Sequence, residues 1–496
     1  MNKIIKIVCL AIALMMVFVA FASCIKHETS SDTTKTPESG NNSTEEGEET
    51  IQPIGIPNDV TFGGQSVMIL AWDDYTMQEF EAEGITGNEV NDAIYERNNT
   101  IQEKLDIKIE YTYTPGSSSS IENYISKVRV DAGVNGTGEY DIFAAYSQIP
   151  ASLAMEGMLA DLRETEYLDF SMPWWPEQLI QETTINDKLY FCSGDISTNM
   201  LWMMTAAFFN KNLINSYGLE DPYELVEQNQ WTLEKMMEMS EGKYVDNDNS
   251  GTKTVADTFG YMTYSINIDA FFTSCGLRAV EKNADDELVI SKLYNGEKIT
   301  DLIEKLGGWF ASGGEGYQNS STKSRAVFFE ERAVFTMDRI FIVAGKDNSD
   351  TTDKIEFGFG ILPVPKYDSN QSRYYTNVGY PFTMYCISAV KSDTDAASAT
   401  LEYLAYESAK LVTPAVFENA MKIRYASDEV ASASYDLIRN SVTFELGRIF
   451  TIPFNNLAST QFRSSVLANN GAWTSNYNSI DTMLGKAIDS VMSQFN

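Results

Sequence analysis

Apolar and polar residues alternate with strand-like and helix-like periods in the part of the chain that follows residue 58. Ser66–Trp72 is almost entirely apolar, which predicts a buried strand. In the next segment, Gly87–Leu105, apolar residues recur on one helical face, and Asn88 is a suitable cap. The same periods predict a strand at Ile107–Tyr111, a helix at 121–132 and a strand at Tyr140–Tyr146. This order indicates an α/β layer with a parallel sheet.

Polar and aromatic residues follow the first and third predicted strands at the point where each strand ends. Ligands of parallel sheets bind outside these carboxyl ends, which here carry Trp72–Asp74 and Tyr146–Gln148. No glycine-rich phosphate loop follows the first strand, so the sheet is not predicted to bind a nucleotide. The later part of the chain is predicted to contain helices at 231–241, 300–310 and over much of 396–496, and short strands at 333–337 and 357–362.

The N-terminus carries the pattern of an export signal. A basic head with two lysines precedes an apolar run, Ile7–Ala22, which is shorter than the roughly 20 residues that span a bilayer. Residues 21–24, Phe-Ala-Ser-Cys, resemble the lipobox of bacterial lipoproteins, in which the cysteine is lipidated and becomes the new N-terminus. We therefore expect a signal peptide at 1–23 and a lipid on Cys24. Ordinary secretion and an uncleaved anchor are the alternatives.

Residues 24–57 are predicted to form a disordered acidic linker, since His27–Thr50 contains almost no apolar residue that could join a core. The chain has 496 residues, enough for two domains. Its formal net charge of −34 arises from 70 acidic and 36 basic residues. This balance argues against nucleic acid as a partner, because phosphates require clustered lysine and arginine.

The single histidine, His27, lies in the predicted linker. Catalysis by Ser-His-Asp or Cys-His pairs and histidine-ligated transition metals are therefore not predicted for the folded part. Cys192, Cys275 and Cys386 are widely spaced and odd in number, which indicates small buried residues rather than a disulfide framework. An enzyme of this composition would have to use carboxylate, lysine or tyrosine chemistry.

Several short segments, each weak alone, occur together in a specific order and spacing. They are Asp141–Phe143, Gly157–Leu162, Asn186–Phe191, Phe208–Leu213, Trp231–Glu234, Ala333–Met337 and Gly360–Pro365. Taken together they resemble the extracellular solute-binding proteins of bacterial ABC importers, in family 1, the sugar-binding group that includes maltose-binding protein. The resemblance covers most of the predicted folded part and does not single out one protein within the group.

The resemblance implies a two-lobed α/β fold of the periplasmic-binding-protein type (type II), with lobes joined by crossing hinge strands and ligand in the cleft between them. The implied N-terminal lobe comprises 58–193 plus 336–378, and the C-terminal lobe 194–335 plus 379–496. The implied crossings lie near 189–197, near Phe335 and near 377–382.

The function implied is that of a monomeric binder without enzymatic activity or a required cofactor. It would capture a carbohydrate, an oligosaccharide, by lobe closure and deliver it to the permease subunits of an ABC transporter. With the lipid on Cys24, the expected location is the extracellular face of the cytoplasmic membrane in a Gram-positive-type cell.

Candidate ligand-binding residues combine aromatic rings, which stack on the apolar faces of sugars, with polar groups that bind hydroxyls. For the aromatic candidates, packing at the sheet edge is the alternative interpretation. For Asp195, which follows the first crossing, the alternative is a cap on a backbone N–H. For Arg339, the alternative is an ion pair with Asp338. The candidates are Trp72, Asp73, Tyr146, Ser147, Asp195, Trp202, Arg339, Tyr380 and Trp473.

The segment Asp246–Asp257 has the spacing of a calcium-binding loop, with oxygen ligands at the first, third and fifth positions, glycine at the sixth and a carboxylate at the twelfth. The predicted ligands of a structural calcium are Asp246, Asp248, Ser250, Thr252 and Asp257. Ser250 replaces the usual carboxylate or amide, and Asp257 is shorter than the usual glutamate. A polar turn of the Asx type is therefore the alternative.

Two other functions remain open from the sequence. A secreted glycosidase needs a pair of carboxylates across the sugar, and the 70 acidic residues make such a pair easy to supply. A receptor of the same fold for peptides or other solutes is equally compatible with the chain, because a fold does not determine its ligand.

Overall fold

The computed structural model describes residues 51–311, 316–344, 355–425 and 429–495. The predicted signal peptide, the predicted lipidation site Cys24 and most of the predicted linker lie outside these ranges. Within them the strands are β1 Gln65–Trp72, β2 Ile107–Thr114, β3 Ile142–Tyr146, β4 Thr205–Asn210, β5 Phe259–Tyr264, β6 Val280–Lys282, β7 Leu288–Ile290, β8 Gly316–Asn319, β9 Ala333–Arg339, β10 Phe359–Pro363 and β11 Thr383–Ile387.

Helices cover both sheets. They are Glu89–Leu105, Ile121–Ala132, Pro150–Met155, Glu177–Thr183, Thr198–Trp202, Lys211–Tyr217, Pro222–Glu227, Leu233–Ser240, Ile268–Ser274, Glu297–Ala311, Ser321–Phe329, Asp395–Glu407, Glu429–Asn440, Leu446–Ile449, Leu457–Ala468 and Trp473–Gln494. Short 3-10 turns lie at Leu162–Glu164, Ser265–Asn267, Lys292–Asn295 and Ile340–Val343, and π turns at Ser408–Val412 and Pro414–Tyr425. In the part of the chain that the structure describes, no helix is both long and apolar enough to cross a membrane.

The first sheet has the strand order β11-β3-β1-β2. β1 runs parallel to both of its neighbours, and its pairing with β2 extends from Gln65 opposite Ile107 to Trp72 opposite Thr114. Helices connect these strands, so the α/β layer predicted from the alternating pattern is confirmed. Asn88 Oδ1 accepts hydrogen bonds from two N–H groups of the first helical turn, both at 3.2 Å, as predicted for a cap.

The second sheet has the strand order β10-β4-β9-β5-β8. β4 lies between two antiparallel neighbours, and β9 runs parallel to β5. The pairing of β10 with β4 places it in this sheet, although the implied boundaries assign 336–378 to the first lobe. The pairing of β11 with β3 places β11 in the first sheet, although 379–496 was assigned to the second lobe. The implied boundaries are wrong for these two strands, because both are short apolar segments whose sheet is decided by pairing rather than by their own pattern.

Two segments that link the sheets run side by side. Cys192 pairs with Tyr385 next to the first sheet, and Met204 pairs with Val378 next to the second. The two segments are therefore antiparallel between the sheets, close to the crossings that the resemblance implies. Ile340 N donates to Met204 O at 2.9 Å, which places the end of β9 beside them.

The three cysteines of the described ranges are free and buried, which confirms that they are core residues. Cys386 lies on β11 and pairs with β3, which is buried along its whole length. The strand β3 therefore shields Cys386 from solvent on one side. Burial raises the pKa of the Cys275 thiol to about 12. The thiol therefore stays protonated at neutral pH and serves as an apolar group.

Candidate functional site

Aromatic rings close the carboxyl edge of the first sheet. The rings of Trp72 and Tyr146, at the ends of β1 and β3, meet edge to face with centroids 5.3 Å apart. Trp72 is inaccessible to solvent, and its Nε1 donates to Thr383 Oγ1 at 2.9 Å. The half-buried Tyr75 meets Trp72 at 6.2 Å. In this conformation Trp72 is therefore a packing partner for two tyrosines, and Tyr75, in an irregular loop, carries no periodic signal that would have identified it.

The polar residues that follow the same strands have different surroundings. Ser147 Oγ donates to the carbonyl of Tyr380 at 2.5 Å, and Ser147 N donates to Phe382 O at 2.9 Å. These bonds tie the end of β3 to the crossing segment that leads into β11. Asp73 is exposed, and its N–H donates to Thr114 O at 3.2 Å, so its carboxylate remains accessible to a ligand.

Arg339 lies at the end of β9, beside the crossing segments. Its Nη2 donates to Tyr264 Oη at 3.2 Å, and its guanidinium carbon lies 4.9 Å from the ring centroid of Phe341. The ion pair with Asp338 is loose, since Nε is 3.7 Å from Oδ1. Asp338 instead approaches Arg325 Nε at 2.7 Å. The guanidinium of Arg339 therefore has only a loose ion pair with a carboxylate of the protein.

Arg448, which the sequence did not indicate, contacts the same crossing segment. Its guanidinium carbon lies 4.3 Å from the ring centroid of Tyr380, and its Nη2 donates to Val378 O at 3.3 Å. Arg339 runs across the neighbouring Gly379, where a Cβ would lie only 2.5 Å from Arg339 Cδ. A side chain at position 379 would displace the side chain of Arg339 from this path. Arg448 has no local motif, because the packing of the C-terminal helices alone brings it here.

Tyr146 lies among these groups. Burial raises the pKa of its hydroxyl and nearby Tyr380 raises it further, whereas Arg339 and Arg448 lower it. A cavity of about 20 Å³ between Ser147, Tyr380 and Arg448 has room for one water-sized group. The structure thus brings together four predicted residues, Tyr146, Ser147, Arg339 and Tyr380, and adds Arg448. We call these five residues the crossing site.

Asp195 lies in different surroundings. Its Oδ1 accepts a hydrogen bond from Thr413 Oγ1 at 2.8 Å and is 3.5 Å from Arg439 Nη2. Burial raises the pKa of its carboxyl, which Arg439 and Thr413 offset in part. Asp195 lines a cavity of about 370 Å³ with Trp174 and Gln178. The cavity at the crossing site does not include Asp195.

Two predicted tryptophans are core residues in this conformation. Trp202 is 2% exposed, and its Nε1 has no hydrogen-bond partner among the described residues. Trp473 is 1% exposed at the start of the helix Trp473–Gln494 and packs edge to face against Tyr294 at 5.3 Å. Their large apolar rings are buried by neighbouring helices, so the structure does not bring them together with the crossing site.

A buried carboxylate fixes the loop that follows β1. Glu79 Oε2 accepts from Asn199 N at 3.0 Å, from Asn199 Nδ2 at 2.7 Å and from Ser197 Oγ at 3.2 Å. Its Oε1 accepts from Tyr385 Oη at 3.1 Å. Glu79 is inaccessible to solvent and forms no ion pair among the described residues. It therefore binds the first crossing segment through hydrogen bonds alone, a role that a lone glutamate in a loop does not reveal in sequence.

The predicted calcium loop folds around three carboxylates. Oxygens of Asp246, Asp248 and Asp257 lie within 4.8 Å of one another. Asp257 is fully buried and its Oδ2 accepts from Thr254 N at 2.7 Å. Asp248 is exposed, and its Oδ2 accepts from Thr254 Oγ1 at 2.9 Å. The convergence of hard oxygen donors fits Ca²⁺, while the internal hydrogen bonds are also those of a polar turn.

The other positions of the loop have the expected turn geometry. Gly251 has φ of 71°, in the left-handed region that glycine adopts without strain. Ser250 Oγ donates to the carbonyl of Thr252 at 2.8 Å. The hydroxyl of Ser250 and the carbonyl of Thr252, both predicted calcium ligands, therefore lie next to each other. A bound cation would compete with this hydrogen bond for the carbonyl oxygen.

Comparisons with known proteins identify the fold. No family model matches the sequence, and no curated protein matches it. Solved structures do match over most of the chain. The maltose/maltodextrin-binding domain MalE from Bdellovibrio bacteriovorus, bound to maltotriose, is similar with a TM-score of 0.52 and 14% identity, covering 86% of this chain and 100% of that chain.

Two further structures agree with this one. An ABC substrate-binding protein from Listeria monocytogenes in complex with cycloalternan has a TM-score of 0.51 and 12% identity, covering 86% of this chain and 98% of that chain. A family 1 extracellular solute-binding protein from Bifidobacterium longum subsp. infantis has a TM-score of 0.51 and 12% identity, covering 86% of this chain and 100% of that chain. The chain therefore has the two-lobed fold of these solute-binding proteins, and the predicted fold class is confirmed.

Proposed function

We propose that the protein is an extracellular solute-binding protein, anchored to the membrane by a lipid, that captures an oligosaccharide and delivers it to the permease of an ABC transporter. The observation that carries this proposal is the gathering of Tyr146, Arg339 and Tyr380 where the chain crosses between the sheets. Tyrosine rings pack against the apolar faces of a sugar, and arginine donates to its oxygens. Maltotriose and cycloalternan in two of the similar structures support a sugar as ligand.

Lobe closure follows from the place of the site. Ser147 ties the first sheet to Tyr380, and Arg339 extends from the second sheet across Gly379. A ligand at this point contacts both lobes only when they are close together, so its binding favours the closed state. The permease then distinguishes the loaded from the empty protein by this change of shape.

Hydrolysis is the second candidate function, and the carboxylates near the crossing site do not favour it. A glycosidase needs one carboxylic acid and one carboxylate on either side of the sugar. Here Asp338 approaches Arg325 at 2.7 Å, and Glu445 Oε1 accepts from Ala279 N at 2.9 Å. Both groups are occupied by partners of the protein, so binding without chemistry is the better proposal.

Thermal unfolding of the full-length chain in detergent, with a panel of oligosaccharides and peptides, tests the proposed function. One oligosaccharide class at about a hundred times its Kd should add about 2.7 kcal/mol to the free energy of unfolding. The variant Arg339→Gln should lose most of this gain, and Arg129→Gln, an exposed arginine on the first lobe, should keep it. Stabilisation by peptides alone would overturn the sugar proposal, and release of shorter sugars would establish an enzyme instead.

Membrane attachment should depend on Cys24. The variant Cys24→Ser is expected to abolish incorporation of labelled fatty acid and to move most of the protein from the membrane to the soluble fraction, because the lipobox resemblance makes this thiol the acceptor for the lipid. Cys9→Ala, within the predicted leader, is the matched control and should remain labelled and membrane-bound. Unchanged labelling of the Cys24→Ser variant would show that the anchor is not a lipid on this residue.

We also propose a structural calcium in the loop Asp246–Asp257. Isothermal titration of protein treated with chelator should give calcium binding at one site per chain. Asp248→Asn should weaken it about tenfold or more, because affinity depends on the charge of the ligand set. Asp285→Asn, an exposed aspartate outside the loop, should have no effect. If the folded protein gives no heat with calcium, the loop is a polar turn without metal.

A further inference from the structure

Arginine side chains are concentrated around the crossing site, in a chain whose net charge is −34. Arg339 and Arg448 contact the crossing segment directly. Arg325 and Arg339 contact the same aromatic ring, that of Phe341, since each guanidinium carbon is 4.9 Å from its centroid. Arg463 lies beside Arg448, and both approach one carboxylate, Asp269. Four guanidinium groups therefore meet in one region of an acidic protein.

The carboxylates that face these arginines neutralise them only in part. Asp338 is 2.7 Å from Arg325 Nε. Asp269 Oδ2 is shared, at 3.5 Å from Arg463 Nη1 and 3.8 Å from Arg448 Nη1. The third carboxylate of the region, Glu445, accepts the N–H groups of backbone residues. Four positive charges are thus balanced by three negative ones, and a local excess of positive charge remains.

The charge of Arg339 is only weakly compensated. Its closest approach to a carboxylate, between Nε and Asp338 Oδ1, is 3.7 Å. Nε is buried and has no hydrogen-bond partner among the described residues, and Nη1 meets only Met203 Sδ at 3.7 Å. A guanidinium carries five N–H donors. A negatively charged oxygen of a ligand would satisfy unused donors here and form charge-assisted hydrogen bonds.

The carboxyl edge of β1, around Tyr75, carries negative charge, in contrast to the crossing segment. Burial raises the pKa of Tyr75, and the carboxylates of Glu79, Glu81 and Asp73 raise it further. Glu81 and Asp73 are exposed there. The site is therefore positive at the crossing segment and negative at the carboxyl edge of β1. A ligand matches both ends when it carries a carboxylate at one end and neutral hydroxyl groups at the other.

We propose that the ligand is an acidic oligosaccharide in which a uronic acid unit places its carboxylate on Arg339 and Arg448, next to Tyr380. This inference rests on the proposed sugar-binding function and names the class of sugar. The planar guanidinium groups match the two oxygens of a carboxylate. The tyrosines Tyr146 and Tyr380 pack against the sugar ring, and Asp73 accepts from hydroxyl groups of the neutral units.

The test uses matched pairs of sugars. Oligomers of galacturonate, glucuronate and mannuronate are titrated into the full-length chain beside their carboxyl-reduced counterparts, which keep the same ring and linkage but carry a hydroxymethyl group. One acidic oligomer should bind about tenfold or more tightly than its neutral counterpart, as expected for the loss of charge-assisted hydrogen bonds. Its affinity should fall with added salt, and that of the counterpart should not.

Variants locate the preference. Arg339→Gln should reduce the acid-to-neutral ratio of affinities toward one, Arg339→Lys should restore part of it, and Arg129→Gln should leave it unchanged. A neutral oligosaccharide that binds as tightly as every acidic one, or more tightly, overturns the proposal while leaving sugar binding intact. Binding of peptides without binding of any sugar overturns the proposed function itself.

Discussion

Replacing Glu79 with alanine should lower the free energy of unfolding by about 4 kcal/mol. The buried carboxylate of Glu79 accepts from Asn199 N, Asn199 Nδ2, Ser197 Oγ and Tyr385 Oη. Alanine leaves these donors without an acceptor and without access to water, and each unsatisfied donor costs free energy in a low-dielectric interior. The expected loss is therefore much larger than that for an exposed glutamate.

Urea denaturation followed by tryptophan fluorescence measures this loss. Glu83→Ala, in the same loop but exposed, is the matched control and should change the free energy of unfolding by less than about 0.5 kcal/mol. Since Ser197 and Asn199 begin the helix Thr198–Trp202 in the first crossing, Glu79→Ala should also weaken ligand binding. Equal stability of the two variants would show that the Glu79 network does not hold the crossing segment.

The titration of Glu402 should lower the free energy of unfolding by about 3 kcal/mol as pH rises from 4.5 to about 7. Burial raises the pKa of Glu402 to about 7, although hydrogen bonds from Trp175 and Trp174 oppose the shift. Both indole Nε1 atoms donate to its carboxyl at 3.0 Å. The native state thus keeps a proton that the unfolded chain releases in this range, so the stability that Glu402 contributes is fully present below pH 4.5 and is lost as pH approaches 7.

Glu402→Gln removes this titration and should flatten the profile by the same amount, whatever its constant effect on stability. Unfolding in urea at several pH values between about 4 and 8 measures the slope. Burial also raises the pKa of Asp269 to about 6, but this contribution is common to both proteins and cancels in their difference. Glu96→Gln, exposed on the helix Glu89–Leu105, should leave the slope unchanged. Parallel profiles for wild type and Glu402→Gln would contradict the assignment.

The contacts of the adjacent tryptophans Trp174 and Trp175 could not be predicted from the sequence. Both are buried, at 1% and 2% exposure. Glu402 lies more than two hundred positions later and satisfies both indole N–H groups. No local pattern around the tryptophans or around Glu402 predicts this contact, because it forms only when the helix Asp395–Glu407 returns to the first lobe.

The sheet to which a strand belongs was likewise decided by the tertiary structure. The apolar pattern predicts a short strand at β10 and none at β11, and each of the two pairs with the sheet opposite to that implied by the boundaries. A strand that is buried on both faces carries no alternation to record its neighbours. Its sheet is decided by backbone hydrogen bonds to residues far away in the chain.

The sequence by itself determined the local elements and the fold class. Periodic apolar residues predicted β1, β2, β3 and the helices between them, Asn88 predicted its cap, and ordered short segments predicted the two-lobed fold. These signals are local or depend on order alone, so a single sequence carries them. Tertiary structure alone decided that Arg448 joins Arg339 at Tyr380, that Glu79 binds Asn199, and that Trp202 and Trp473 are buried. The reason is physical: charge balance, burial and hydrogen-bond satisfaction are properties of groups that meet in space, and residues distant in the chain meet only when it folds.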